Sequence, residues 1–392
     1  MRQCRVRLSE IAQLFLKLGF TAFGGPAVHI ALMEAEVVER RRWLSAEHFL
    51  DLIGATNLIP GPNSTELALH VGYECGGWRG LFVAGISFLC PAVLLTALLG
   101  WIYTRWGALP EAGTFMNGIK AGVISIIAVA VWKLGKKAIK GSREAVLGCF
   151  VAIAVLFGAD EVIAFFAGGI GGMIWLWIHR TNWGKALCPV IPIVPFISPS
   201  GMHMMFASAR EGVSLTAIGL FFLKIGAILY GSGYVLIAFI EGTLVTERGW
   251  LTHAELLDAV ALGQLTPGPV LSTATFIGYL LAGFPGAVVA TLGIFFPSFL
   301  FVLILNPLIP RLRKRKWTAA FLDAVNVSAL GLMAAVTLSL ARHALETPAG
   351  WIICGVAALL VLKARVNVAL VIVGSALIGS LLGRLGLWGS CF

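Results

Sequence analysis

Phe15-Leu-Lys-Leu-Gly19 reappears as Phe222-Leu-Lys-Ile-Gly226, and the register then holds without a gap as far as Pro60-Gly-Pro62 and Pro267-Gly-Pro269. The same offset pairs Gly24 with Gly231, Glu34 with Glu241, Arg41-Arg-Trp-Leu44 with Arg248-Gly-Trp-Leu251, and Asp51 with Asp258. About 19 of the 48 positions from 15 to 62 are identical in the second copy, and fixed-period self-similarity of this kind marks a repeat architecture. After a one-residue deletion the match resumes, pairing Gly72-Tyr73 with Gly278-Tyr279 and Pro91 with Pro297. Chance likeness between apolar stretches does not keep register through turn and charged residues. The chain is one unit written twice.

What surrounds the repeat is apolar. Of 392 residues, 58% are hydrophobic and only 12% charged, with a mean hydropathy of +0.91. Soluble domains carry about a quarter charged residues, so an ordinary soluble enzyme, a disordered chain and a nucleic-acid binder are excluded. The +10 net charge lies in short Lys/Arg clusters between apolar runs, the pattern of cytoplasmic loops. The 46 glycines suit close helix packing in lipid. Seven scattered cysteines without a CxxC pair support neither disulfides nor a zinc site. No cofactor and no metal is expected. The fold class is an all-α polytopic membrane protein.

Each half holds six apolar segments, with repeats at 1–185 and 211–392 joined by a Pro-rich linker at 186–210 that either spans or merely connects. Lys133, Lys136, Lys137, Lys140 and Arg143 follow the fourth segment of half one, where half two has Arg342, His343 and Glu346. One loop earlier the bias reverses, with Arg105 against Arg311, Arg313, Lys314, Arg315 and Lys316. Positive loops stay inside, so the repeats are predicted to have inverted topology. Ten to thirteen crossings satisfy the charges. Thirteen is favoured; ten results if both Pro-Gly-Pro segments enter and return. Inverted repeats with broken helices are the hallmark of secondary transporters.

Two kinds of break recur. Asn57-Leu-Ile-Pro60-Gly61-Pro62-Asn63-Ser64-Thr65 and Gln264-Leu-Thr-Pro267-Gly268-Pro269-Val-Leu-Ser272-Thr273 interrupt apolar segments. A helix restarting behind such a turn would aim free N–H groups and its positive dipole end at the protein centre, which favours an anion, with Ser64, Thr65, Ser272 and Thr273 as caps or donors; a proline kink needed only for packing is the alternative. Phe23-Gly24-Gly25-Pro26 and Tyr230-Gly231-Ser-Gly233 form the second, earlier break, either lining substrate or permitting a close crossing. Lys17 and Lys224 occupy matched positions within apolar segments, and an intramembrane lysine is a functional candidate by default; a cation pair would suit a divalent anion, against snorkelling as the alternative. Glu34, Asp51, Glu66, Glu241 and Asp258 are the acids nearest membrane depth and the proton-coupling candidates, although helix capping or pairing with Arg41 and Arg248 is the favoured role of Asp51 and Asp258. Glu66 has no acidic repeat partner, Thr273 standing there. Gly201-Met-His-Met-Met205 reads as apolar filler rather than a copper site.

These motifs together, from Phe23-Gly-Gly-Pro26 through Arg42-Trp-Leu44 and Asn57–Thr65 to Gln264–Pro269, resemble the chromate ion transporter family in its long-chain, two-domain form. The resemblance covers nearly the whole chain. It implies a bacterial-type inner-membrane protein that exports chromate, coupled to the proton gradient, and so confers chromate resistance. Sulfate is the structural look-alike, and sulfate uptake the second reading. A passive anion channel and a membrane-embedded enzyme are the other classes, the latter lacking a convergent nucleophile, base or metal set. The expected partners are the oxyanion and the bilayer, with no nucleic acid; a homodimer is one allowed assembly.

Overall fold

A computed structural model describes residues 6–23, 26–106, 110–180, 213–230, 233–305, 316–364 and 366–384. All regular structure among them is helical, and both halves repeat one order of seven helices. The first half comprises α1 (Leu8–Thr21), α2 (Pro26–Glu34, prolonged by a π-helical stretch Ala35–Arg40), α3 (Ala46–Thr56), α4 (Asn63–Trp106), α5 (Pro110–Ala138), α6 (Ser142–Leu156) and α7 (Glu161–Arg180). The second comprises α8 (Leu215–Ile228), α9 (Val235–Ile240, prolonged by Glu241–Glu247), α10 (His253–Leu265), α11 (Thr273–Leu305), α12 (Lys316–Ala344), α13 (Pro348–Leu362) and α14 (Val368–Arg384). The linker at 186–210, including the Met-His cluster, lies outside the described residues.

Local chemistry sets these boundaries. Ser45 and Thr252 begin α3 and α10 by accepting from the backbone N–H groups of His48 and Glu255, and Glu255 returns the bond to Thr252 to complete a capping box. Thr347 caps α13 ahead of Pro348 at its first position. The turn before each cap requires a left-handed residue, met by Arg42 at φ 54° and by its repeat partner Gly249 at φ 59°. Arg41 over Trp43 and Arg248 over Trp250 close the same turn, 5.2 and 4.6 Å from the ring centroids.

The long helices α4 and α11 are each two arms joined at a sharp bend, at Gly77 (φ 61°, ψ −155°) and at Gly283 (φ 60°, ψ −152°). Their arms cross where glycine removes the side chain. A β-carbon on Gly72 would strike the Gly80 carbonyl, and one on Gly278 would strike that of Gly286. On α11, Phe284, Val288, Leu292, Phe296 and Leu300 are exposed at every fourth residue. A large-residue apolar stripe of that length on one face is lipid-facing surface, and among the described residues five helices are long and apolar enough to cross a membrane.

Contacts fix the path of the shorter helices. His48 Nε2 lies 3.2 Å from Glu74 Oε2, joining the start of α3 to the end of the first arm of α4. The chain therefore enters along α3, turns at Pro60-Gly-Pro62 and comes back. The first break turns back too. The N–H of Val6 donates to the carbonyl of Cys75 at the start of α1, and Lys17 Nζ reaches Glu36 Oε1 at 2.6 Å beyond the end of α2. Thirteen crossings, in which every apolar segment traverses, do not describe these hairpins. Return of the Pro-Gly-Pro segment is the premise of the ten-crossing arrangement, and the glycine break before it returns as well. Crossing and returning half-helices carry the same apolar sequence, so counting segments could not separate them.

The halves pack antiparallel. Phe82 and Phe299 stack at 5.6 Å between ring centroids, setting the start of the second arm of α4 against the end of that of α11. At the other end Gly100 abuts the ring of Tyr279. The bends at Gly77 and Gly283 thus lie on opposite faces. Lys140 pairs with Asp323 at 2.7 Å, which puts the basic stretch 133–143 and the start of α12 on the Gly77 face. His343, at the end of α12, stacks on His253 at 4.1 Å on the Gly283 face.

Candidate functional site

The two Pro-Gly-Pro turns sit inside the molecule. Pro60, Gly61 and Pro62 are buried, as are Pro267, Gly268 and Pro269, and both glycines hold positive φ, 147° and 97°. Each turn packs against the long helix of the other half at an equivalent place: Gly61 faces Ser298 of α11, and Gly268 faces Ala92 of α4. The N–H of Gly268 donates to the carbonyl of Ala22 at 2.9 Å, tying the second turn to the first-half glycine break. His29 of α2 bonds the same Ala22 carbonyl at 3.0 Å. The centre is thus built by both halves.

Helix α4 restarts directly behind the first turn, so Asn63, Ser64, Thr65 and Glu66 form its first turn. Ser64, Thr65 and Glu66 are buried. Behind the second turn a 3₁₀ segment Val270–Ser272 precedes α11, and Ser272 and Thr273 are buried. Thr273 donates to the Val270 carbonyl at 2.8 Å, whereas the hydroxyls of Thr65, Ser272 and Ser298 and both carboxyl oxygens of Glu66 have no hydrogen-bond partner. The large majority of buried side-chain polar atoms are paired. Here several unpaired ones gather behind the helix starts.

The turns are not equivalent in every respect. Asn57 is exposed and accepts from Asn63 Nδ2 at 3.1 Å, bridging the first break. Its partner Gln264 is buried, accepts from the Tyr234 hydroxyl at 3.4 Å, and leaves its own Nε2 without a partner. Pro26 opens α2. Gly24, Gly25 and Gly231 lie outside the described residues.

The lysines are placed elsewhere. Lys17 has a side chain 50% exposed and is held by Glu36, and Lys224 is exposed on α8. The structure brings neither to the central turns, because both point off the outer faces of their helices. Glu36, which also receives Arg40 at 3.1 Å and Arg41 at 3.3 Å, is the anion that neutralises this corner.

Among the acids, Glu34 is half-buried and Asp51 exposed. Glu241 is buried between His253 and Ser339, both at 3.2 Å. Asp258 is buried and accepts from Tyr103 at 2.8 Å, with Lys120 Nζ at 3.5 Å. The capping and arginine pairing expected of Asp258 fall instead to Thr252 and Trp250. Lys120, His70 and Ser298 are absent from the sequence-derived set, and Tyr230 enters it only as the first residue of the second break. Lys120 carries the signal that singled out Lys17, a lone cation in an apolar segment. The other three are recognisable only once the turns are in place.

Comparison with known proteins identifies the family. The sequence profile of the Chromate transporter family matches residues 9–173 and again 216–380. A chromate transport protein of Cupriavidus metallidurans is 32% identical over 95% of this chain and 92% of its own. One of Pseudomonas aeruginosa is 31% identical over 93% and 90%, and an uncharacterized transporter of Methanocaldococcus jannaschii is 28% identical over 95% and 94%. No solved structure matches the chain. With a profile match in each half and such relatives along nearly its full length, the chain belongs to the chromate transporter family.

Proposed function

We propose that this protein is a secondary active transporter that exports chromate across a bacterial-type inner membrane, energised by the proton-motive gradient, and thereby confers chromate resistance. The observation that carries the reading is the pair of buried Pro-Gly-Pro turns, each with a helix restarting behind it and unpaired hydroxyls beside it. A tetrahedral dianion needs donors and positive dipole ends in a dry site, and Ser64, Thr65, Ser272, Thr273 and the first backbone N–H groups of α4 and α11 are of that kind. Two inverted repeats then alternate access to a site between them by moving against each other.

Orientation follows from charge. The Gly77 face carries Lys133, Lys136, Lys137, Lys140 and Arg143, so it is the cytoplasmic face, and the repeats are inverted in the membrane. Single-cysteine variants in the 136–143 and 342–349 loops are expected to label from opposite sides in sealed vesicles. Labelling of both from one side would remove the inverted repeat.

Transport is tested with radiolabelled chromate in everted vesicles, with and without a proton ionophore and with excess sulfate. Uptake that collapses with the ionophore is the expected result. Uptake that ignores it would remove the coupling to the gradient, and sulfate flux without chromate flux would change the substrate.

A further inference from the structure

We infer that Glu66 is the group that binds a proton together with the transported oxyanion, so that anion occupancy and protonation of this one carboxyl rise together. The inference rests on the oxyanion-export reading above. Glu66 is 0% exposed in the first turn of α4, and neither carboxyl oxygen has a hydrogen-bond partner. Gly61 lies between it and the Ser298 hydroxyl, itself unpartnered. The groups about it are Ser298 from α11, Tyr230 from the break after α8 and His70 one turn along its own helix. Among the described residues no cation forms an ion pair with it.

An ionised carboxylate sealed in that position has nothing to offset the loss of water. The same holds more strongly when a dianion occupies the helix start beside it. Carboxylate and dianion would compete for one positive dipole end, and their repulsion is little screened where water is excluded. Binding of the anion therefore requires, and stabilises, protonated Glu66, and linkage makes the effect reciprocal.

The second half has no counterpart. Ser272 and Thr273 stand at the start of α11, Ala92 stands where Ser298 does, and Phe23 replaces Tyr230. One carrier in two repeats sets one proton per anion. A dianion leaving with one proton moves a single negative charge outward, which an inside-negative potential drives, while an acidic exterior opposes the proton. Of the two components of the gradient, the voltage is the motor.

Everted vesicles separate the two, because their energised interior is positive and acidic. Valinomycin with potassium, which removes the voltage, is expected to abolish chromate uptake by the wild type; nigericin, which removes the pH difference, is expected to raise it. The wild-type KM is expected to climb roughly tenfold per pH unit on the alkaline side, the limit for one linked proton, and the KM of Glu66→Gln to be flat with pH. Wild-type uptake abolished by nigericin and spared by valinomycin would overturn the proposal. So would a Glu66→Gln protein that keeps the wild-type pH slope, or one that is folded yet inert at every pH. Should the wild type take up no chromate at all, the functional reading fails separately. Glu66 is then decided by infrared spectra of the purified protein at neutral pH: a buried, protonated carboxyl band lost in Glu66→Gln or shifted in Glu66→Asp supports the assignment, and its absence overturns it.

Discussion

Gly61→Ala is expected to stop chromate flux and to lower stability by about 4 kcal/mol, whereas Gly77→Ala should cost about 2 kcal/mol and leave flux in place. Both glycines have positive φ, 147° and 61°, so the backbone penalty is of the same kind. Their surroundings differ. A β-carbon at Gly77 meets nothing within 4 Å, while one at Gly61 runs into Glu66 Oε1 and Ser298 Oγ deep inside van der Waals contact. Relief requires the turn to move away from α11 or Glu66 to swing out of its pocket, and either change takes apart the place where helix α4 restarts. The comparison is made by thermal unfolding in detergent together with vesicle flux. Normal flux in a folded Gly61→Ala protein would reduce the Pro-Gly-Pro turn to architecture.

The turns could be read from the sequence because proline and glycine write their backbone constraint locally, and the duplication showed that the constraint was kept twice. The same locality explains Gly283, which reproduces the bend of Gly77 to within a few degrees. What a half-helix does at its far end is not written locally. Whether the chain turns back after Thr21 depends on Lys17 meeting Glu36 and Val6 meeting Cys75, contacts that a hydropathy pattern does not contain. Lys17 illustrates the cost of reading depth from hydropathy alone: an apolar neighbourhood suggested an interior cation, but the helix turns that side chain outward to an acid on the returning strand of the hairpin. Glu66 stood out by the opposite route. Its position relative to the turn is local, and its lack of an acidic partner in the second half is visible by counting. Ser298 and Tyr230 come from the other half, so only the packed structure places them beside it.

Lys120→Met is expected to destabilise the protein by about 3 to 5 kcal/mol, the cost of leaving a buried carboxylate without its cation. Lys120 of α5 and Tyr103 of α4 hold Asp258 of α10, at 3.5 and 2.8 Å, so two first-half helices grip the returning hairpin of the second half. The Asp258 side chain is 6% exposed, and that of Lys120 is 16% exposed, at the edge of a cavity of about 380 Å³ shared with Thr252, His253 and His343. This difference sets the order of effects. Asp258→Asn keeps an acceptor for the Tyr103 hydroxyl and leaves a lysine that reaches water through the cavity, for a loss of about 1 to 2 kcal/mol. Lys120→Met leaves an acid that cannot reach it. Combining the two replaces an ion pair by neutral groups, and most of the loss from Lys120→Met should return. Thermal unfolding of the four proteins in detergent measures the cycle. Additive losses would show that Lys120 and Asp258 do not act as a pair. Equal single-mutant losses would show that the cavity gives the lysine no access to solvent.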